Sequence, residues 1–327
     1  MSPTPLSGVD LLLADLDGVV YRGPGAIDHA VESINAVRPP VRVGYITNNA
    51  SRTDVSVAEH LTGLGLHVAP TDVVTSPQAA MALLTELVPP ASTILVVGGD
   101  GLVSEVRRAG FTVTASAEDG PAAVVQGFAP HVSWTDLAEA AFALQGAGAD
   151  IPWVATNTDW TIPQARGTAP GNGTLVSAVH TAIGRLPVVA GKPEVAIFRE
   201  AMSRFGATTA LMVGDRLDTD ILGANRAGIR SALVLTGIDQ AKQVLAAVPQ
   251  ERPTYLLEDL RGLHEEYPQT VERDGLTIVG GAAVRRDGQV LTVERGEGID
   301  LLRAGAAAIW NSGMAIYALQ VPPELYS

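Results

Sequence analysis

Two carboxylates two positions apart, Asp15 and Asp17, close a short apolar run and are followed at once by Gly18. Carboxylates this near repel one another, so at least one carboxyl pKa would rise unless a cation neutralised the cluster. A hard divalent ion with oxygen ligands, such as magnesium, is the natural occupant. Asp215, which ends a later apolar run, supplies the further carboxylate that such an ion takes. Alone, Asp-x-Asp-Gly is a weak signal, because the same residues also serve as helix caps and turn residues. The chain has no cysteine, which excludes thiol nucleophiles, disulfides and cysteine-ligated zinc. Any catalysis therefore runs on oxygen or nitrogen groups.

The elements that must position these groups are legible as a pattern. Short apolar, β-branched runs at 9–14, 41–47, 93–97, 122–127, 153–156, 210–214 and 231–236 predict strands. Helix-like stretches at 26–37, 55–64, 77–87, 135–145, 174–183, 194–205 and 219–227 lie between them. This alternation predicts an α/β fold with a doubly wound, Rossmann-like parallel-sheet core, whose ligands gather outside the carboxyl ends of the strands. Three of the predicted strands deliver polar groups there: Asp15 and Asp17 from the first, Thr47-Asn48-Asn49 from the second, and Asp215 from a late one. A fourth polar element, Gly191-Lys192-Pro193, precedes the helix that begins near Glu194.

The spacing of these motifs divides the chain. Residues 1–78 and 188–265 are read as the two parts of the core, and 79–187 as an inserted α/β cap domain. Residues 266–327 are read as a small C-terminal α+β appendage, with hairpin strands at 271–280 and 288–294 and a helix at 299–310.

Taken in order, Asp15-Leu16-Asp17-Gly18-Val19-Val20, Thr47-Asn48-Asn49, Gly191-Lys192-Pro193 and Gly214-Asp215-Arg216-Leu217-Asp218-Thr219-Asp220 resemble the haloacid dehalogenase superfamily. The second Asp of the first motif is similar to the phosphatase branch. The long insertion resembles the large cap of the class II, NagD-like members, as do Asn157-Thr158-Asp159, Arg166-Gly167 and the stretch from Pro170 to Leu175. The resemblance implies a magnesium-dependent phosphomonoester hydrolase. Asp15 would be the nucleophile that forms an aspartyl-phosphate, and Asp17 the general acid and base. Magnesium would be held by the Asp15 and Asp215 carboxylates and by Asp17 through its backbone carbonyl. Thr47, Asn48 and Asn49 would donate to the phosphoryl oxygens, and Lys192 would add positive charge beside them. Asp220 would orient metal-bound water or Lys192 from outside the metal's own ligands. The loop from Asp159 to Arg166, on the cap, would choose the leaving group.

Within that branch the actinobacterial glycerol-3-phosphate phosphatases resemble this chain, and they carry a C-terminal region similar to part of an acetyltransferase fold. Glycerol 3-phosphate is therefore the expected substrate, with phosphoglycolate or another sugar or polyol phosphate as the alternative. Trp160-Thr161-Ile162-Pro163 has no histidine, unlike the pyridoxal phosphatases of the family. The C-terminal region is too short for a working acetyltransferase and lacks a pyrophosphate loop, so a structural or interface role is expected. A phosphotransferase, or a non-catalytic sensor of a phosphorylated metabolite, remains the competing reading.

Bulk properties narrow the partners. Hydrophobic residues make up 46% of the chain and charged residues 17%, the balance of a globular protein. A net charge of −13 leaves no basic surplus for nucleic-acid binding. No apolar run is long enough to span a membrane, and the first six residues do not read as a signal peptide, so cytoplasmic residence is expected. A homo-oligomer formed through the cap or the appendage is compatible with the sequence. Gly98-Gly99-Asp100-Gly101 lacks the ending of a P-loop and reads as the turn that opens a helix. The six histidines show no metal-ligand spacing.

Overall fold

The computed structural model describes residues 3–50, 52–164 and 166–326. Met1 and Ser2 of the N-terminal reading, and Ala165 of the loop between Asp159 and Arg166, lie outside the described residues. The chain forms two compact units. One comprises residues up to Gly44, Leu64–Leu66 and those from Phe205 onward; the other comprises Tyr45–Gly63 and His67–Arg204.

In the first unit, strands Tyr255–Leu257, Arg230–Val234, Ala210–Gly214 and Leu11–Ala14 lie side by side in that order, all parallel. Leu11, Leu13, Leu211 and Val213 have no exposed surface, as expected for central strands covered on both faces. Burying each such aliphatic side chain contributes about 1.5–3 kcal/mol. Asp10 clips the two central strands together just before they begin. Its carboxylate accepts the Thr208 N–H at 2.9 Å, the Thr208 hydroxyl at 2.8 Å and the Thr209 N–H at 2.9 Å. These bonds, the Thr208 N–H above all, hold the Asp10 carboxyl down at about 2.

The C-terminal residues add a four-stranded antiparallel meander to this unit: Thr270–Arg273, Leu276–Val279, Ala282–Asp287 and Val290–Arg295. The span 271–280, expected as one strand, is broken by Asp274 and Gly275, both at positive φ (49° and 74°). That is the two-residue hairpin turn favoured by Asp-Gly. Helix Gly298–Trp310 packs on the meander. The meander and helix share one apolar cluster with the parallel strands: Val284, Leu291, Leu301 and Leu302 join Leu217, Ile221, Leu233 and Leu256.

In the second unit, Tyr45–Thr47 pairs in parallel with Val73–Thr75. A separate five-stranded sheet has the order Val188–Val189, Trp153–Ala155, Ala123–Gln126, Thr93–Val97, Thr112–Thr114, again all parallel. Its apolar core is built around Leu95, Val97, Val124 and Trp153, with Ala140, Leu144, Val176 and Val179 from two covering helices. Helix Asp100–Arg108 begins directly after Gly98-Gly99, as the sequence suggests.

Two predicted helices differ at their starts. The stretch at 26–37 is helical only over Ala30–Asn35, because Gly25–Ala26 pairs with Tyr21–Arg22 and His29 takes φ 65°. The stretch at 219–227 opens as a π-helical turn, Leu217–Ile221, before helix Leu222–Arg226. Among the described residues, no helix is long and apolar enough to cross a membrane.

Candidate active site

The first unit concentrates carboxylates at the carboxyl ends of its two central strands. Ala14 pairs with Val213, so Asp15 and Asp215 emerge from adjacent strand ends. The Asp15 N–H donates to Val213 C=O at 2.9 Å, which fixes that end of the ladder. Leu16, Val19 and Val20 are buried behind it, while Asp17 is exposed. Gly18 turns the chain at φ 81°, and its carbonyl accepts the Thr236 hydroxyl at 2.7 Å.

Ligand oxygens of Asp15, Asp215 and Asp220 all lie within 4.8 Å of one another. Asp215 is 2% exposed and Asp220 fully buried. Three acids packed this closely resist joint ionisation unless a cation sits among them, and an all-oxygen donor set suits a hard divalent ion. The cluster is also braced by backbone. Ile238 N–H donates to Asp215 Oδ2 at 2.8 Å, and Asp220 Oδ2 accepts the N–H groups of Asp215 (3.2 Å) and Arg216 (3.1 Å).

Three glycines leave room for these carboxylates. A β-carbon at Gly18 or Gly237 would overlap Asp215 Oδ2, and one at Gly214 would overlap the Asp220 side chain. The π-helical turn, with Ile221 N–H bonded to Arg216 C=O five residues back, carries Asp220 inward. Such turns recur at functional sites. Arg216 and Asp218 pair with each other at 2.8 Å on the exposed side of the same turn. Asp239 accepts the Leu217 N–H at 2.7 Å, and burial pushes its carboxyl above the usual range.

The Asp17 side chain is not one of the three clustered acids, and it accepts a long bond, 3.5 Å, from the Tyr21 hydroxyl. The sequence reading places Asp220 beside the metal's own ligands; its carboxylate lies within 4.8 Å of those of Asp15 and Asp215 and takes the Asp215 and Arg216 N–H groups. Gly237 and Ile238 escape that reading altogether, although they follow the predicted strand at 231–236 directly, at the edge where such sheets gather ligands.

The second unit carries Thr47, Asn48, Asn49, Lys192, Asp159 and Arg166. Thr47 and Lys192 are buried, and Thr47 Oγ1 accepts the Asn49 N–H at 3.1 Å. Asn48 reaches across to both later motifs: its Nδ2 donates to Asp159 Oδ1 at 3.0 Å and to Lys192 C=O at 2.9 Å. Its Oδ1 accepts the Lys192 N–H at 2.8 Å. The Asp159 loop is seated on Gly171 and Gly173, where a β-carbon would overlap the Asp159 and Thr158 carbonyls. Arg166 is exposed, between the paired strands Thr161–Gln164 and Gly167–Pro170, outside this network of bonds.

Comparison with known proteins accords with this geometry. Residues 12–112 match a haloacid dehalogenase-like hydrolase family, and residues 189–263 match a HAD-hydrolase-like family. A D-glycerol 3-phosphate phosphatase of Mycobacterium tuberculosis is 45% identical over 312 residues, 94% of this chain and 87% of that protein. A glycerol-3-phosphate phosphatase of Gallus gallus is 38% identical over 73% of this chain and 83% of its own length. The crystal structure of a glycerol phosphate phosphatase from Mycobacterium tuberculosis in complex with magnesium is 42% identical, with a TM-score of 0.85. It covers 95% of this chain and 93% of that one. With matches of this identity along nearly the whole chain, and carboxylates gathered at its strand ends, the chain belongs to the haloacid dehalogenase-like hydrolase family, in its phosphatase branch.

Proposed function

We propose that the chain hydrolyses glycerol 3-phosphate to glycerol and inorganic phosphate, using magnesium. The observation that carries the chemistry is the cluster of Asp15, Asp215 and Asp220 within 4.8 Å. The choice of substrate is supported by the names of the two relatives above. Asp15 and Asp215 would hold magnesium through their carboxylates and Asp17 through its carbonyl, with Asp220 bracing Asp215 from beside the ion. When bound, the ion screens the negative nucleophile from the negative phosphate and stabilises charge on the phosphoryl oxygens.

In the first step an Asp15 carboxylate oxygen bonds to phosphorus as the ester P–O bond breaks, and Asp17 gives its proton to the leaving alkoxide. In the second, Asp17 takes a proton from water, whose oxygen bonds to phosphorus as the Asp15–phosphorus bond breaks. Thr47, Asn49, the Asn48 N–H and the Lys192 ammonium bind the transferring oxygens. Residues 79–187 act as the cap, whose Asp159 and Arg166 choose the leaving group, and residues 266–327 play a structural or interface part. The protein works in the cytoplasm on a small metabolite, without nucleic acid or membrane, and a homo-oligomer through the cap or C-terminal region belongs to the same reading.

A panel of phosphorylated metabolites assayed with magnesium tests this, with both glycerol phosphates, phosphoglycolate, pyridoxal phosphate, nucleotides and p-nitrophenyl phosphate. The expected result is the highest kcat/KM for glycerol 3-phosphate. A preference for nucleotides or phosphoglycolate overturns the substrate, and no hydrolysis of any member overturns the reaction.

A further inference from the structure

We infer that Asn48 is a positioning residue that locks the Lys192 turn and the Asp159 loop into one frame, and that its side chain does not bind the phosphoryl group. The inference rests on the phosphatase reading above. An asparagine amide has two N–H donors and one carbonyl acceptor. Both donors of Asn48 are engaged within the protein, one on Lys192 C=O at 2.9 Å and one on Asp159 Oδ1 at 3.0 Å. The acceptor takes the Lys192 N–H at 2.8 Å. No N–H of this side chain remains to meet a phosphoryl oxygen.

The two bonds to Lys192 form a cyclic pair, as between strands, that fixes both ends of that residue's backbone. They thereby set the direction in which its ammonium leaves the turn. The pair requires Gly191, where a β-carbon would collide with Asn48 Oδ1. The backbone of Asn48 is held just as firmly. Its carbonyl accepts the Ser76 hydroxyl and Asn157 Nδ2, each at 2.7 Å. Asn157 in turn accepts the Asp159 N–H at 3.2 Å and is held from behind by Asn172 Nδ2 at 2.7 Å. One buried amide therefore registers the group that neutralises phosphate against the carboxylate proposed to read the leaving group. An amide bonded at every polar atom, as that of Asn48 is, holds its partners in one arrangement, because any other leaves a buried polar group unsatisfied.

The test is a cycle of Asn48→Asp, Asp159→Asn and the double variant, each assayed with glycerol 3-phosphate and with p-nitrophenyl phosphate. Asn48→Asp keeps the shape and the acceptor for Lys192 N–H. It turns the donor into a carboxylate facing the Lys192 carbonyl and the Asp159 carboxylate. The expected result is a fall in kcat of about a hundredfold on both substrates, the cost of a misplaced catalytic group. The ratio of the two kcat/KM values should also shift by about tenfold, a coupling of the size found between contacting residues. That ratio is independent of how much protein is folded. In the double variant the amide introduced at position 159 can donate to the carboxylate introduced at position 48. The ratio should then return to within about threefold of Asp159→Asn alone, while kcat stays low. A wild-type kcat in Asn48→Asp, or a ratio unmoved by the second substitution, overturns the inference. Wild-type activity on p-nitrophenyl phosphate without activity on glycerol 3-phosphate overturns only the substrate reading, and the cycle is then scored with the best substrate of the panel.

Discussion

Asp215 Oδ2 receives the Ile238 N–H at 2.8 Å, and the approach is open only because Gly237, one residue earlier, has no β-carbon. The segment that follows strand Arg230–Val234 thus supports the carboxylate cluster through Gly237 and Ile238.

Gly237→Ala is expected to push the Asp215 carboxylate out of register. Groups that orient a metal ligand typically change metal affinity by about 10–100-fold when altered. Titration of activity with magnesium should show a half-saturating concentration raised by that factor, with near-normal kcat at saturation. An unchanged magnesium requirement would show that Asp215 keeps its place without Gly237.

Asp15→Asn keeps the size of the side chain and removes the nucleophile. Loss of a nucleophile that acts as part of a unit costs about 10⁴-fold or more in kcat. The variant should fold, as judged by circular dichroism, and turn over neither glycerol 3-phosphate nor p-nitrophenyl phosphate. Activity equal to wild type would sink the mechanism.

Leu302, 4% exposed on the C-terminal helix, packs in the same cluster as Leu217 and Ile221, which flank Asp220 in the turn. Leu302→Ala should cost about 2–5 kcal/mol, the range for emptying a buried leucine site. Because the cluster is shared, thermal unfolding of residues 266–326 and of the parallel sheet beside them should shift together. A new, separate low-temperature transition would mean that the C-terminal residues form an independent core.

Asp10 supplies a pH signature. Its carboxyl lies at about 2 in the folded chain against 3.8 in the unfolded one. The folded pKa is the lower of the two, so its stabilising contribution is present above 3.8 and is lost as pH falls through about 2. Acid titration of stability should therefore show Asp10→Asn less stable than wild type at neutral pH, with the gap closing across that window. A gap that does not change with pH would assign the loss to packing rather than to the carboxylate.

Much of the frame is legible in the sequence. Runs such as 11–14 and 210–214 are apolar throughout because central parallel strands are covered on both faces, and a run that stops at aspartate marks a strand end. The Asp274-Gly275 turn was legible in principle too, since only residues that tolerate positive φ fit a two-residue hairpin. The late start of the helix at Ala30 was not, because it depends on Gly25–Ala26 finding Tyr21–Arg22 as a partner.

The sequence by itself determined the class of chemistry. Without cysteine, and with Asp15, Asp17 and Asp215 at predicted strand ends, the sequence points to a site of oxygen ligands. Only the tertiary structure decided which groups meet. The pairing of Ala14 with Val213, and a π-helical turn after Asp215, bring Asp220 rather than the Asp17 side chain in among the acids. Asn48 is drawn to Lys192 and Asp159, partners 144 and 111 residues away. Spacing along a chain records which residue types sit near a strand end. The direction of a side chain and the identity of a distant hydrogen-bond partner follow from register and close packing, which exist only once the chain has folded.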